Sequence, residues 1–113
     1  MTIVRRPILL AELRAMAART FGDFVKAVVD VERGMMSVDA ELHSDEEAQL
    51  LEDGSRQQNL WGINLYPGNA EEDWIEFDSV INIRPWQDNR SRGVEDLQLR
   101  AKIVQVVNRL VER

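Results

Sequence analysis

The stretch FVKAVVDVERGMMSVDAEL, Phe24 to Leu42, decides how this chain is read. Val25, Ala27, Val29 and Val31 alternate with Lys26, Val28, Asp30 and Glu32, the period-two pattern of a strand with one face in a core. Arg33-Gly34 is the turn, because glycine supplies the positive φ that a tight hairpin needs. The return strand puts Met36, Val38, Ala40 and Leu42 on one face and Met35, Ser37, Asp39 and Glu41 on the other. The two strands make an antiparallel hairpin, and the rest of the chain has to be fitted around it.

A second pair of strands lies downstream. In LWGINLYP, Trp61, Ile63 and Leu65 share one face, with Gly62, Asn64 and Tyr66 on the other. Pro67-Gly68-Asn69 is a turn, and WIEFDSVINIR, Trp74 to Arg84, reads as the longest strand. Ile75, Phe77, Ile81 and Ile83 share its apolar face, interrupted by Ser79, and Pro85 stops it for want of an N–H. Three helices frame the strands. Leu10, Leu13 and Ala17 recur at helical spacing within a helix from about Ile8 to Arg19, after an extended arm in which Ile3 and Val4 could form a short strand. HSDEEAQLLEDG offers Ser44 and Glu47 as a capping box, with Asp45 and Glu46 where the helix dipole favours acids. Leu99, Ile103, Val106, Val107 and Leu110 make the stripe of a last helix, with Asp96 as its N-cap. The reading is an α+β fold of order α-β-β-α-β-β-α over residues 1–113, a single domain. It has one four-stranded, mainly antiparallel sheet with the helices on its apolar face.

Composition narrows the function classes. The 113 residues are 44% hydrophobic and 30% charged, as in ordinary globular proteins. The net charge of −6 disfavours general nucleic-acid binding, since an acidic surface repels phosphate backbones. No apolar run suits a membrane span, Glu12 and Arg14 break the N-terminal apolar stretch, and no signal peptide is read. The absence of cysteine removes thiol nucleophiles, disulfides and cysteine-based metal sites, and is compatible with a cytoplasmic protein. No nucleotide-binding, zinc-protease or serine-hydrolase motif is present, and no cofactor is expected.

Three groups could carry chemistry. Glu41 and His43, with Asp45 and Glu46 nearby, could ligate a divalent metal, but helix capping accounts for the same acids at this spacing. Glu76 and Asp78, with His43, could act as acid or base if strand pairing brings them together. The polar phases of an antiparallel sheet need such residues in any case. The third group is NIRPWQDNRSRGVED, Asn82 to Asp96, where Arg84, Asn89, Arg90 and Arg92 lead to a helix N-terminus and could bind a small anion. Glu95 and Asp96 compete for the same donors, which favours reading the stretch as a joint between strand and helix.

The segments FVKAVVDVERG, ELHSDEEAQLLEDGSRQQNLWGINLYP, IEFDSVINIRP and NRSRGVED resemble a family of uncharacterised bacterial proteins classed as a domain of unknown function. LWGINLYP and NRSRGVED are the most specific parts. The resemblance implies a stand-alone bacterial, cytoplasmic domain and brings no catalytic residue with it. Leu97 departs from the family pattern, which favours proline at that first helical position.

The function expected is a non-catalytic interaction or ligand-binding module that self-associates, because Val28, Met35 and Val80 leave apolar residues on the nominally polar face. An enzyme acting on a small anionic substrate through Arg84, Arg90 and Arg92, and a regulatory partner docking another protein by its acidic face, are the alternatives.

Overall fold

The Phe24–Leu42 hairpin is the centre of the fold. The structure, a computed structural model, describes Met1–Arg113. Strand β3 (Val25–Asp30) pairs antiparallel with β4 (Met35–Val38) in the register Ala27↔Val38 to Asp30↔Met35. The turn is longer than two residues. Asp30 ties it by accepting from the N–H groups of Glu32 and Arg33 at 2.9 and 2.8 Å, and Gly34 sits at φ 68°.

On the far side of β3 lies β5 (Leu60–Leu65), antiparallel from Val25↔Leu65 to Asp30↔Leu60. The sheet has five strands, not four. The N-terminal arm supplies β1 (Thr2–Val4), which pairs with β4, and β6 (Ile75–Glu76) closes the other edge, giving the order β1-β4-β3-β5-β6. A separate parallel pair joins β2 (Ile8–Leu9) to β7 (Val111–Glu112). That pairing is why helix α1 begins only at Leu10 and runs to Arg19.

The long strand read in WIEFDSVINIR does not form. After Glu76 the chain leaves the sheet and makes a single 3-10 turn, Val80–Asn82, in which the Ser79 side chain accepts from Ile81 N. The side chain of Asn82 then fills the strand's place beside β5: its Oδ1 accepts from Gly62 N and its Nδ2 donates to Gly62 O, both at 2.9 Å.

Helices cover both faces of the sheet, not one. Leu13 and Ala17 of α1, with Ile103, Val106, Val107 and Leu110 of α3 (Leu97–Leu110), pack on Val25, Ala27, Val29, Met36, Val38, Trp61, Ile63 and Leu65. Helix α2 (His43–Glu52) lies on the opposite face, where Leu50 meets Val28, Met35 and Leu60. Val28 and Met35 are therefore interior residues under α2 and offer no face to a second copy. Burying a side chain such as Val28 contributes about 1.5–3 kcal/mol, which is why an apolar residue on the nominal polar phase fits this arrangement.

Asp96 caps α3 as expected, accepting from Gln98 N and Leu99 N. The Ser44–Glu47 capping box does not form. Helix α2 starts two residues earlier, with Leu42 at the N-cap and no side chain capping it. Two residues of its first turns, His43 and Glu46, point into the protein, and Glu47 turns towards Arg84 at 3.8 Å.

Candidate functional site

Pro85 opens another 3-10 turn, Pro85–Gln87, and the segment from Arg84 to Glu95 is a joint held by its own polar groups. Arg84 is buried, with its side chain 1% exposed. Its Nε donates to Ile81 O and Nη1 to Gln57 O, each at 2.9 Å, and Nη2 donates to Leu60 O. The guanidinium lies over the Trp61 ring, 4.4 Å from its centroid. Asn89 is also buried. Its amide donates to Asn82 O and Gly93 O at 2.7 and 2.8 Å, and its Oδ1 accepts from Glu95 N at 2.9 Å. Glu95 accepts from Arg90 N and Ser91 N at 2.6 and 2.9 Å, and the bonds from Ser91 and Arg90 hold its carboxyl below the usual range.

Of the four residues read as an anion site, Arg84 and Asn89 thus bind the chain itself. Arg90 is exposed, with Asp88 at 3.9 Å. Arg92 reaches another element: its Nε donates to Asp78 Oδ1 at 2.6 Å.

That contact leads to a cavity of about 230 Å³ between β3, the start of α2 and the Ser79–Ile81 turn. Lys26, His43, Ser44, Ser79 and Arg92 supply its polar lining, and Leu42, Val80 and Ile81 its apolar part. Lys26 gets there because it shares a phase with Val28, on the α2 side of the sheet. Ser79 gets there because glycine at position 62 leaves room: a Cβ on Gly62 would lie 2.5 Å from the Ser79 Cβ.

His43 is 8% exposed, and its Nε2 meets Ile63 O at 2.8 Å. A carbonyl can only accept, so Nε2 carries the proton and the neutral ring keeps its lone pair on Nδ1. Burial pushes the imidazole below its ordinary pKa and the Lys26 and Arg92 charges add to this, against the Ile63 bond and the Asp78 charge. His43 is therefore neutral at pH 7.

The acids take other places. Asp78 anchors Arg92. Glu76 stands at the β5–β6 edge, where it accepts from Asn64 Nδ2 at 2.8 Å and from the Tyr66 hydroxyl at 3.4 Å. Glu41 lines a different cavity, with Met1, Asp45 and Glu52, so it and His43 do not meet at one point. No group of three or more His, Asp or Glu side chains is arranged to hold a metal ion. No helix is long and apolar enough to cross a membrane.

Beneath this region lies Glu46, with no exposed surface. Its Oε2 accepts from Ala40 N at 3.0 Å while Oε1 has no partner. Burial pushes the carboxyl up to about 9, so it is protonated at neutral pH.

The chain matches the family model described as "Protein of unknown function (DUF5674)" over residues 2–110. It belongs to the DUF5674 family. No curated protein and no solved structure matches it. The DUF5674 description carries no activity, so the chemistry rests on the side chains themselves.

His43 and Arg92, drawn from separate candidate groups in the sequence, line one cavity, and Asp78 reaches it only through its bond to Arg92. Lys26, Ser44 and Ser79 are additions that the sequence reading does not place at a site. Lys26 has a signal in its strand phase beside Val28. Ser79 has one as the break in an apolar face, but only a strand ending at Glu76 turns that break into a lining residue.

Proposed function

We propose that the protein is a non-catalytic binding module that holds a small carboxylate with a short apolar group in the cavity over His43. The observation that carries this reading is the convergence of Lys26 from β3 and Arg92 from the joint on one cavity. Asp78 takes the Arg92 Nε and leaves the Nη groups for a ligand. No side chain caps α2, so its first N–H groups add a favourable dipole for an anion. Leu42, Val80 and Ile81 suit the apolar part of the ligand. The reading is non-catalytic because the acids available to assist His43 are engaged, Asp78 with Arg92 and Glu76 with Asn64.

The test is an NMR titration with butyrate at constant ionic strength. Saturable shifts are expected at the Ser44 and Ser79 amides, weakened about tenfold in Lys26→Ala and in Arg92→Ala, the scale of one charge-assisted hydrogen bond. Shifts no larger than those from chloride would sink the reading.

Self-association is favoured by a separate observation. Leu42 is 54% exposed and Val80 63%, both at the rim of this cavity, and Trp86 is 73% exposed. The edge strands β1 and β6 span only three and two residues, so copies would pair through these apolar side chains rather than by strand addition. Light scattering that finds a monomer at high micromolar concentration removes this reading.

A further inference from the structure

A second cavity, of about 440 Å³, lies between the β3–β4 turn and helix α3, away from the one over His43. Its lining includes Arg33, Lys102 and Arg109 against one acid, Glu32. That balance runs opposite to the net charge of −6 of the whole chain. We propose that this cavity binds a small, hydroxyl-bearing phosphate monoester.

The cations differ in what they have left to offer. Arg33 is engaged: Nη1 donates to Ser55 Oγ and Nη2 to Asp53 Oδ2, each at 2.8 Å, so it contributes positive field more than free donors. Arg109 is held in place but not used up. Its Nη2 donates to Gly34 O at 2.7 Å, across 75 residues of chain, and the guanidinium packs so closely on Gly34 that a Cβ there would collide with it. One anchored N–H orients the planar fork and leaves its other donors for a ligand. Lys102 makes no ion pair within the chain and is exposed.

A phosphate monoester suits this pair better than a carboxylate. It carries close to two negative charges at neutral pH and three acceptor oxygens, matching an oriented guanidinium and an ammonium together. The cavity falls in the size range of small-molecule sites and is larger than a phosphate group alone requires. Val31 and Val106 give the remaining space an apolar floor, while Glu32 and the Gln105 amide can pair with hydroxyl groups. A nucleic-acid backbone is a poor occupant, since the acidic remainder of the surface repels a polyanion.

The experiment is an NMR titration of the whole chain with glycerol phosphate, inorganic phosphate and glycerol, at ionic strength held constant with chloride. Glycerol phosphate is expected to give saturable shifts at the Gly34, Gln105 and Val106 amides. Binding should be about tenfold tighter than for inorganic phosphate, and about tenfold weaker in Lys102→Glu, whose exposed position keeps the fold intact. Arg109→Lys, which keeps the charge and loses the fork, should weaken it as well. Equal affinity for inorganic phosphate, unchanged binding in Lys102→Glu, or shifts no larger than those from chloride would each overturn the proposal. The amides reporting on this cavity are not those of Ser44 and Ser79, so its failure and failure of the carboxylate reading are told apart.

Discussion

The side-chain amide of Asn82 stands in for a β-strand beside Gly62, accepting from its N–H and donating to its carbonyl at 2.9 Å each. Both bonds are buried, and no other part of the chain replaces Asn82 there. Asn82→Ala should cost about 2–6 kcal/mol, the sum expected for two buried backbone groups left unpaired. Asn82→Asp, which keeps the acceptor and loses the donor, should also be destabilising. Urea denaturation gives both values, and a loss below ~1 kcal/mol for the alanine variant would mean the pairing is not a structural tie.

Gly62 is small for a steric reason. A Cβ added there would meet the Ser79 side chain at 2.5 and 2.6 Å. Gly62→Ala is expected to destabilise the fold by about 1–3 kcal/mol, the usual range for overpacking. Removing the opposing atoms with Ser79→Gly should recover part of that loss, and a double-mutant cycle measures the coupling. Additive effects would rule out the contact as the cause.

Glu46 makes stability fall as pH rises. Its folded pKa of about 9 lies above its ordinary 4.5, so between these values the unfolded chain gives up a proton that the folded protein retains. Folding is therefore penalised progressively across that window and unaffected below it. Glu46→Gln keeps the acceptor for Ala40 N and removes the ionisation. It should match the wild type near pH 4 and exceed it by at least about 1 kcal/mol near pH 8, since a folded and an unfolded pKa that lie one apart correspond to about 1.4 kcal/mol. Tm measured across pH tests this, and a constant difference between the two proteins would refute it. His43 acts at the other end. Its folded pKa is lowered below 6.5, so its contribution is complete above that value and is lost as pH falls below it.

Arg84 and Arg92 should separate cleanly. Arg84 is enclosed and serves three backbone carbonyls, so Arg84→Ala should cost about 3–5 kcal/mol, as for breaking a buried charged network. Arg84→Lys should retain only part of that stability, because an ammonium cannot reproduce the fork. Arg92 is half-exposed and paired with a half-exposed Asp78, so Arg92→Ala should change stability by less than about 1 kcal/mol. Thermal denaturation of the three variants decides between a joint and a surface site for each arginine.

Much of this architecture is legible from neighbours in sequence. The alternation around Val25, Ala27 and Val29, the Gly34 turn, the α3 stripe and the Asp96 cap depend on residues within a few positions of one another. The periods of strand and helix and the reach of a capping carboxylate are local physics.

Other features have no local signal. Val28 and Met35 read as apolar residues on a polar face, and only the placement of α2 over them makes them core. The acids at the start of α2 read as a capping box because Ser44 and Glu47 have the right spacing, but inward-facing His43 and Glu46 move the helix start. The course from Phe77 to Ile83 alternates like a strand, yet Asn82 pairs with Gly62 in its place, across 20 residues.

The central hairpin and the last helix are written in local sequence, whereas the Arg84–Glu95 stretch reads there both as an anion site and as a joint. Only the tertiary structure decided which face each helix covers, that Arg84 is interior while Arg92 reaches Asp78, and that Lys26, His43 and Ser79 share a cavity. The reason is physical: burial and the pairing of polar groups are settled between segments distant in the chain, and a side chain can satisfy a backbone group as well as a strand can.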